Sequence, residues 1–337
     1  MDSNFNLWQS LALAAVQGAT EFLPVSSSGH LVLVRRLFGW SDQSGLVFDT
    51  VLHGGSLAAI LIYFWREWVA IFRAYFAKNS NSVCCQIPQS VFAKAMSDKS
   101  KIGNLPPEAD PWPSSPARNA THSVAGGLDG ARAQAGRPPM AEKSKIESAV
   151  GAYYRRLPWL VAIATLPVVI AGPVLKPLLE SCEQIRNVPV TGLSMIMTAL
   201  LFLLAECRRP AAEKRISFPN ALFIGCMQII ALLPGASRSG WTTAGGVFCG
   251  QKRESAVRFA FFMAVPAITG AIIFQSREII RSLETAFDPL FILSGFIVSL
   301  IVSLGAIHFC LKYFRSHSLR PFAVYLMIIG LLSFLVI

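Results

Sequence analysis

Six stretches of the chain are apolar and long enough to cross a lipid bilayer, which takes about 20 such residues in a helix. They are Leu46–Trp65, Trp159–Leu179, Val188–Ala205, Phe259–Phe274, Leu290–Leu311 and Phe322–Ile337. The bilayer interior offers no water to unpaired backbone groups, so spanning segments of this kind are helices. The sequence therefore predicts an all-α, multi-pass integral membrane protein with about six transmembrane helices.

Two further apolar segments, Leu7–Leu37 and Ala221–Cys249, are each interrupted by a polar turn. The turns read Leu-Pro-Val-Ser-Ser-Ser-Gly at residues 23–29 and Leu-Pro-Gly-Ala-Ser-Arg-Ser-Gly at residues 233–240. Irregular backbone is tolerated at membrane depth only where protein or a water-filled cavity satisfies its polar groups. We therefore predict two re-entrant helical hairpins whose tips meet inside the protein.

The two interrupted segments resemble one another. A shift of the sequence by 211 residues places Ser26–Gly29 on Ser237–Gly240 and Gln17 on Gln228. Three predicted spans separate the hairpins, so we expect them to enter the membrane from opposite faces. This pattern predicts an inverted-topology repeat, and such repeats carry their functional site where the two halves meet.

The net charge of +11 comes from basic residues that lie between apolar runs. Such residues are typical of the cytoplasmic loops of membrane proteins. No basic stripe is interleaved with aromatic residues, so we expect no nucleic-acid partner. The basic loops at residues 207–215 and 312–320 are predicted to be cytoplasmic, and the mixed-charge loops at residues 176–186 and 277–288 are predicted to lie outside.

The segment between the first and second predicted spans has a different composition. It is rich in Pro, Ser, Ala and Gly, and such a segment cannot bury a hydrophobic core. We therefore divide the chain into three parts. Residues 1–77 hold the first hairpin and span, residues 78–156 form a disordered cytoplasmic insertion, and residues 157–337 hold the remaining spans and the second hairpin.

The polar residues of the hairpins are the candidate functional residues. An ionisable side chain at membrane depth is costly, so Glu21 and Arg238 are functional by default, although they could merely neutralise one another. Arg238 has a planar fork of donors that matches phosphate oxygens, and turns at helix starts suit anions. Glu21, with Gln17 one turn earlier, could hold a divalent cation that bridges two phosphates. The combination predicts phosphoryl transfer on an anionic lipid.

Residues 17–30 (QGATEFLPVSSSGH) and 234–240 (PGASRSG) are similar to the two signature motifs of the bacterial undecaprenyl-diphosphate phosphatase family, also called bacitracin-resistance proteins. The resemblance covers residues 7–77 and 157–337. It implies an enzyme of the bacterial inner membrane that hydrolyses undecaprenyl diphosphate to undecaprenyl phosphate. That product is the lipid carrier recycled for peptidoglycan synthesis, and its recycling confers bacitracin resistance.

The resemblance also implies roles for individual residues. It implies Ser27 as the nucleophile, His30 as an acid/base and Glu21 as a catalytic carboxylate or metal ligand. Gln17 stands where the family has Glu or Gln, and it is the second expected ligand of a divalent cation, magnesium or calcium. Arg238 is the expected phosphate-binding arginine. The serines of the two turns are further phosphate-binding candidates: Ser26, Ser28, Ser237 and Ser239.

Two other functions share parts of this pattern. A lipid phosphatase with a histidine nucleophile needs a histidine where Ala244 stands, so that pattern fails. A transporter or flippase for a polyprenyl phosphate also uses inverted repeats and broken helices. The expected partners are a polyprenyl diphosphate and the bilayer, and a homodimer is left open. We expect the active site to face the outer, periplasmic side.

Overall fold

The computed structural model describes residues 6–40, 45–76, 140–181, 188–208, 216–283 and 289–335. Within these ranges the chain forms eleven α-helices and one short 3-10 helix, Ser333–Leu335, and no strand. The helices are α1 (Leu7–Phe22), α2 (Ser27–Phe38), α3 (Gly45–Tyr63), α4 (Trp65–Phe76), α5 (Met140–Ser181), α6 (Val188–Cys207), α7 (Phe218–Ile230), α8 (Arg238–Phe248), α9 (Arg253–Leu283), α10 (Pro289–Tyr313) and α11 (Arg320–Leu332).

Among the described residues, four helical segments have the length and hydropathy of a membrane span. They are Gly151–Leu175 in α5, Val188–Cys207, Arg253–Ser276 in α9, and Pro289–Tyr313. Helices α3 and α4 together meet the same criterion as a bent pair, which would make a fifth span. These helices confirm the predicted all-α membrane protein. The last predicted span, Phe322–Ile337, corresponds to α11, which is apolar but shorter than a full span.

The chain divides into two compact units, one of residues 1–65 and 158–337 and the other of residues 66–157. Every candidate functional residue belongs to the first unit. Helix α5 begins at Met140, so helical structure starts earlier than residue 156, where the predicted insertion ends. The segment around residues 140–150 contains Ala, Glu and Lys, which favour helix. The rest of the predicted insertion, residues 78–139, lies outside the described residues.

The two hairpins begin their helices in the same way. Asn6 caps α1 and Ser217 caps α7, the first helix of each hairpin. Ser26 caps α2 and Ser237 caps α8, the second helix of each hairpin. In both cases the two equivalent caps lie 211 residues apart. Each cap side chain accepts a hydrogen bond from the backbone N–H three residues later. Such a cap satisfies one of the N–H groups that a helix leaves unpaired at its start. The shift that aligns the two sequences therefore also aligns the helix starts.

Helix α10 packs closely against α1 and α3. A Cβ atom at Gly18 of α1 would lie 2.7 Å from the carbonyl oxygen of Ser299, and one at Gly55 of α3 would lie 2.5 Å from the carbonyl oxygen of Phe296. The Ser299 hydroxyl donates to the carbonyl oxygen of Leu52 at 2.7 Å. Small residues and serine hydroxyls let membrane helices approach one another in this way. The contact fixes α1, which carries the first candidate residues, inside the bundle.

A polar cluster joins the ends of several helices on one face of the protein. Arg253 donates two hydrogen bonds, of 2.7 and 2.6 Å, to the buried carboxylate of Glu206. The backbone N–H of Leu319 donates to the same carboxylate at 2.9 Å, and Arg315 donates to Glu254 at 3.1 Å. The end of α6, the start of α9 and the α10–α11 turn therefore lie side by side. The two loops predicted to be cytoplasmic begin at this common face.

Candidate active site

The tips of the two hairpins meet, as the sequence predicts. Ser239, near the start of α8, donates a hydrogen bond from Oγ to the carbonyl oxygen of Leu23 at the end of α1, at 3.2 Å. Gly235 in the second turn has a φ of +85°, and a Cβ atom there would lie 2.3 Å from the carbonyl oxygen of Thr191. Only glycine satisfies both the positive φ and the close approach. The second tip is therefore held against α6 while it contacts the first tip.

Glu21 is at the centre of the site, and its side chain is only 3% exposed. Ser27 Oγ donates to Glu21 Oε2 at 2.6 Å, and Gln17 Nε2 donates to the same oxygen at 2.8 Å. Arg238 Nη2 donates to the other carboxylate oxygen, Oε1. The structure therefore brings together four of the predicted residues, three from the first hairpin and one from the second. One carboxylate links the candidate nucleophile to the candidate phosphate-binding arginine.

The backbone of Ser26 determines where Ser27 lies. Ser26 has a φ of 71°, a left-handed conformation that residues other than glycine rarely adopt. Its Oγ accepts a hydrogen bond from the backbone N–H of Gly29 at 3.2 Å, and its carbonyl oxygen accepts one from His30 Nδ1 at 2.7 Å. A strained residue persists only where its surroundings hold it. These bonds fix the start of α2, where Ser27 contacts Glu21.

His30 does not face the Glu21–Ser27 contact. Because Nδ1 lies beside a carbonyl oxygen, we assign the proton to Nδ1, and Nε2 then accepts a hydrogen bond from the Tyr325 hydroxyl at 2.6 Å. The two rings are stacked, with centroids 5.6 Å apart. His30 is also not among the residues that line the cavity described below. The acid/base role of His30 therefore stays a prediction, and the geometry indicates that His30 positions Ser26.

The histidine that faces Glu21 is His53 of α3, to which the sequence analysis assigned no role. Its Nε2 lies 3.6 Å from Glu21 Oε2, and its Nδ1 donates to the carbonyl oxygen of Asp49 at 2.7 Å. Asp49 itself accepts two hydrogen bonds from Arg35, at 2.9 and 2.5 Å. The sequence contained a signal for this pair, since Asp49 and His53 are four residues apart in an apolar run and share one helix face.

These side chains line a cavity of about 360 Å³, a volume within the range of small-ligand sites. The polar lining includes the predicted nucleophile Ser27 and all of the predicted phosphate-binding residues: Ser26, Ser28, Ser237, Arg238 and Ser239. Glu21, Arg35, Asp49 and His53 also line it. The apolar lining comes from α5, the α7–α8 turn and α9, and includes Val168, Leu232, Ala267, Ile268, Ala271 and Ile272. A cavity with both linings suits an amphiphile with an anionic head group.

The donor set around Glu21 does not fit a resident divalent cation. Both carboxylate oxygens already accept hydrogen bonds, from Arg238 on one side and from Ser27 and Gln17 on the other. Gln17 Oε1 is a buried oxygen with no hydrogen-bond partner in the described part of the chain. No group of three or more His, Cys, Asp or Glu side chains that could hold a metal ion occurs among the described residues. One amide oxygen and one arginine-paired carboxylate fall short of the several oxygen ligands that magnesium and calcium take.

Comparison with protein-family models matches residues 10–99 and 133–332 to the family described as bacitracin resistance protein BacA. The chain belongs to the BacA family. A relative named undecaprenyl-diphosphatase from Idiomarina loihiensis is 31% identical over 329 residues, which cover 97% of each chain. Another of the same name, from Myxococcus xanthus, is 31% identical over 331 residues, covering 97% of this chain and 88% of the relative. The BacA match includes both hairpins, so it confirms the resemblance carried by the two motifs.

Proposed function

We propose that this BacA-family protein hydrolyses undecaprenyl diphosphate to undecaprenyl phosphate and inorganic phosphate. Its family and the shared name of two relatives that align with nearly the whole chain support this activity. The observation that carries the mechanism is the contact of Ser27 and Arg238 with the same carboxylate, that of Glu21. The product is the lipid carrier for peptidoglycan synthesis, and its recycling accounts for bacitracin resistance.

Ser27 is the nucleophile in this proposal. Its hydroxyl donates to Glu21 Oε2 at 2.6 Å, so Glu21 accepts the proton as Ser27 Oγ bonds to the terminal phosphorus. The bond from that phosphorus to the bridging oxygen breaks, and undecaprenyl phosphate leaves with the electron pair and the proton from Glu21. Water then attacks the phosphoserine. Glu21 takes a proton from this water and returns it to Ser27 Oγ as inorganic phosphate forms.

The terminal phosphate is bound by Arg238 and by two helix starts. A guanidinium group has five N–H donors, so Arg238 can hold phosphate oxygens while Nη2 contacts Glu21. Helices α2 and α8 begin at Ser27 and Arg238, and helix N-termini favour anions through their unpaired N–H groups and positive dipole ends. Phosphoryl transfer relies mainly on such positioning and charge stabilisation.

The divalent cation stays a prediction. Since the residues around Glu21 do not fit a resident ion, we expect magnesium or calcium to arrive with the diphosphate as part of the substrate. A chelator should then abolish turnover while the thermal unfolding temperature of the substrate-free protein stays unchanged. A chelator that lowers the unfolding temperature would instead indicate a resident ion.

Phosphate release from undecaprenyl diphosphate by the purified protein in detergent tests the activity. A detergent micelle has no second compartment, so a transporter or flippase yields no product in this assay. Ser27→Ala should lose about 10³-fold in activity or more. Ser10→Ala is a matched control, because buried Ser10 donates to the carbonyl oxygen of Phe291 at 2.8 Å and is not among the cavity-lining residues. Parent-like activity in Ser27→Ala would contradict the mechanism, and a parent without activity would contradict the function.

We also infer that the protein lies in the bacterial inner membrane and that its site opens to the periplasm. The basic loops between apolar runs support this orientation. In a background without the native cysteines, Leu290→Cys should react with an impermeant thiol reagent in intact cells. Ser316→Cys, which is exposed on the opposite predicted side, should react only after permeabilisation, and the reverse pattern would overturn the orientation. The homodimer stays a prediction that light scattering of the detergent-solubilised protein can test.

A further inference from the structure

Gln228 of α7 is a buried polar side chain whose amide has no hydrogen-bond partner in the described part of the chain. It is only 1% exposed, and neither Nε2 nor Oε1 has a hydrogen-bond partner among the described residues. The residue lines the same cavity as Glu21, Ser27 and Arg238. Burying an amide without a partner is costly, and nearly all buried side-chain amides are therefore hydrogen-bonded. An unpartnered amide at the wall of a cavity points to a ligand.

The repeat explains why this glutamine has no partner on its own helix. Gln17, the equivalent residue 211 positions earlier, donates to Glu21 one helical turn later, at 2.8 Å. In the second hairpin the residue one turn after Gln228 is Leu232, which offers no acceptor. Helix α7 thus has a glutamine that corresponds to Gln17 but no carboxylate that corresponds to Glu21. Among the described residues, Gln228 therefore has an amide that is available to a ligand.

We propose that Gln228 binds a phosphate oxygen of the lipid diphosphate through its Nε2–H group. This inference rests on the proposed function, because it takes the diphosphate as the ligand of the cavity. The surroundings favour an anion there, since Arg238 and the N-termini of α2 and α8 line the same cavity. The amide adds a donor without adding charge, and its Oε1 accepts from a protonated phosphate oxygen or from water bound to the head group. Gln228 is therefore a substrate-binding residue on the hairpin that also carries Arg238.

The variant Gln228→Leu separates the effect on stability from the effect on affinity. Leucine removes an amide that has no partner in the ligand-free protein, so the thermal unfolding temperature should stay unchanged or rise. The same variant should bind a non-hydrolysable farnesyl methylenediphosphonate about tenfold more weakly, because a hydrogen bond to a charged group is lost. Farnesol, which has no phosphate, should bind as it does to the parent. Gln228→Glu should bind the diphosphonate more weakly still, since like charges repel.

Gln251→Leu is the matched control. Gln251 is also buried, but it has interactions of its own and is not among the cavity-lining residues. This control should have a lower unfolding temperature and parental affinity for the diphosphonate.

Three outcomes for Gln228→Leu would overturn the inference: parental affinity for the diphosphonate, an equal loss of affinity for farnesol, or a lowered unfolding temperature in the ligand-free protein. Absence of phosphate release by the parent would concern the proposed function instead, because diphosphonate binding needs no turnover.

Discussion

Glu21 and Ser27 act as one unit in the proposed mechanism, so losing both should cost little more activity than losing either one. Ser27→Ala removes the nucleophile, and Glu21→Gln removes the acceptor that lies 2.6 Å from the Ser27 hydroxyl. A positioned general base contributes about 10²–10⁴-fold to a rate, which corresponds to roughly 3–5 kcal/mol of activation free energy. We therefore expect each single variant to lose about 10³-fold in kcat/KM, and the double variant to lose about the same amount.

Replacing Glu21 also changes the free energy of unfolding. The carboxylate accepts hydrogen bonds from Arg238, Ser27 and Gln17, and a glutamine at this position leaves the arginine charge without a counter-ion. Breaking a fully buried ion pair typically costs about 3–5 kcal/mol. Because the Arg238 side chain is 23% exposed, solvent screens part of this charge, and we expect a smaller loss of about 2 kcal/mol.

The assay is steady-state phosphate release by the parent, both single variants and the double variant, at equal amounts of folded protein. Glu206→Gln is the matched control, because Glu206 is another buried carboxylate paired with an arginine, Arg253, and is not among the cavity-lining residues. It should lose stability and keep its kcat/KM. If the losses multiply to about 10⁶-fold in the double variant, the two residues act independently. That result would refute Glu21 as the base for Ser27 and leave it as the charge partner of Arg238.

Four further substitutions have expected outcomes. His53→Gln should lower kcat/KM by about tenfold, because it replaces the imidazole whose Nε2 lies 3.6 Å from Glu21 Oε2. His30→Gln should instead mainly lower the thermal unfolding temperature. If His30→Gln lowers kcat/KM and His53→Gln lowers the unfolding temperature, the geometry of the site is contradicted. Gly235→Ala should lower the free energy of unfolding by more than about 1 kcal/mol, since the φ of +85° and the adjacent α6 backbone leave no place for a Cβ atom. An unchanged unfolding temperature would disprove this steric argument. Gln17→Glu should lower the magnesium concentration required for half-maximal activity, because a carboxylate attracts the cation more strongly than an amide. The measurement is a magnesium titration of chelator-treated enzyme, and an unchanged half-maximal concentration would exclude contact between this side chain and the ion.

The parts of the fold that depend on one segment at a time could be predicted from the sequence. Run length and hydropathy predicted the membrane helices, and interrupted runs predicted the two hairpins, because both signals are local. The contacts of His30 with Tyr325 and of His53 with Glu21 join helices that are distant in the sequence, and the sequence did not reveal these contacts. The family resemblance implied His30 as the acid/base, yet its ring contacts Tyr325, 295 residues away. His53 and Gln228 reach the site through packing of α3 and α7, which no single segment encodes.

The matching helix starts bear on how this active site originated. Ser27 and Arg238 are the first residues of α2 and α8, so they occupy the same place in the two copies of the repeat. If the copies descend from one duplicated gene segment, that ancestor had a single residue type at this place. Two identical ancestral halves would have faced each other with the same residue at both helix starts. The separate roles of Ser27 as nucleophile and Arg238 as phosphate-binding residue then arose only after duplication, when the two copies could diverge in sequence.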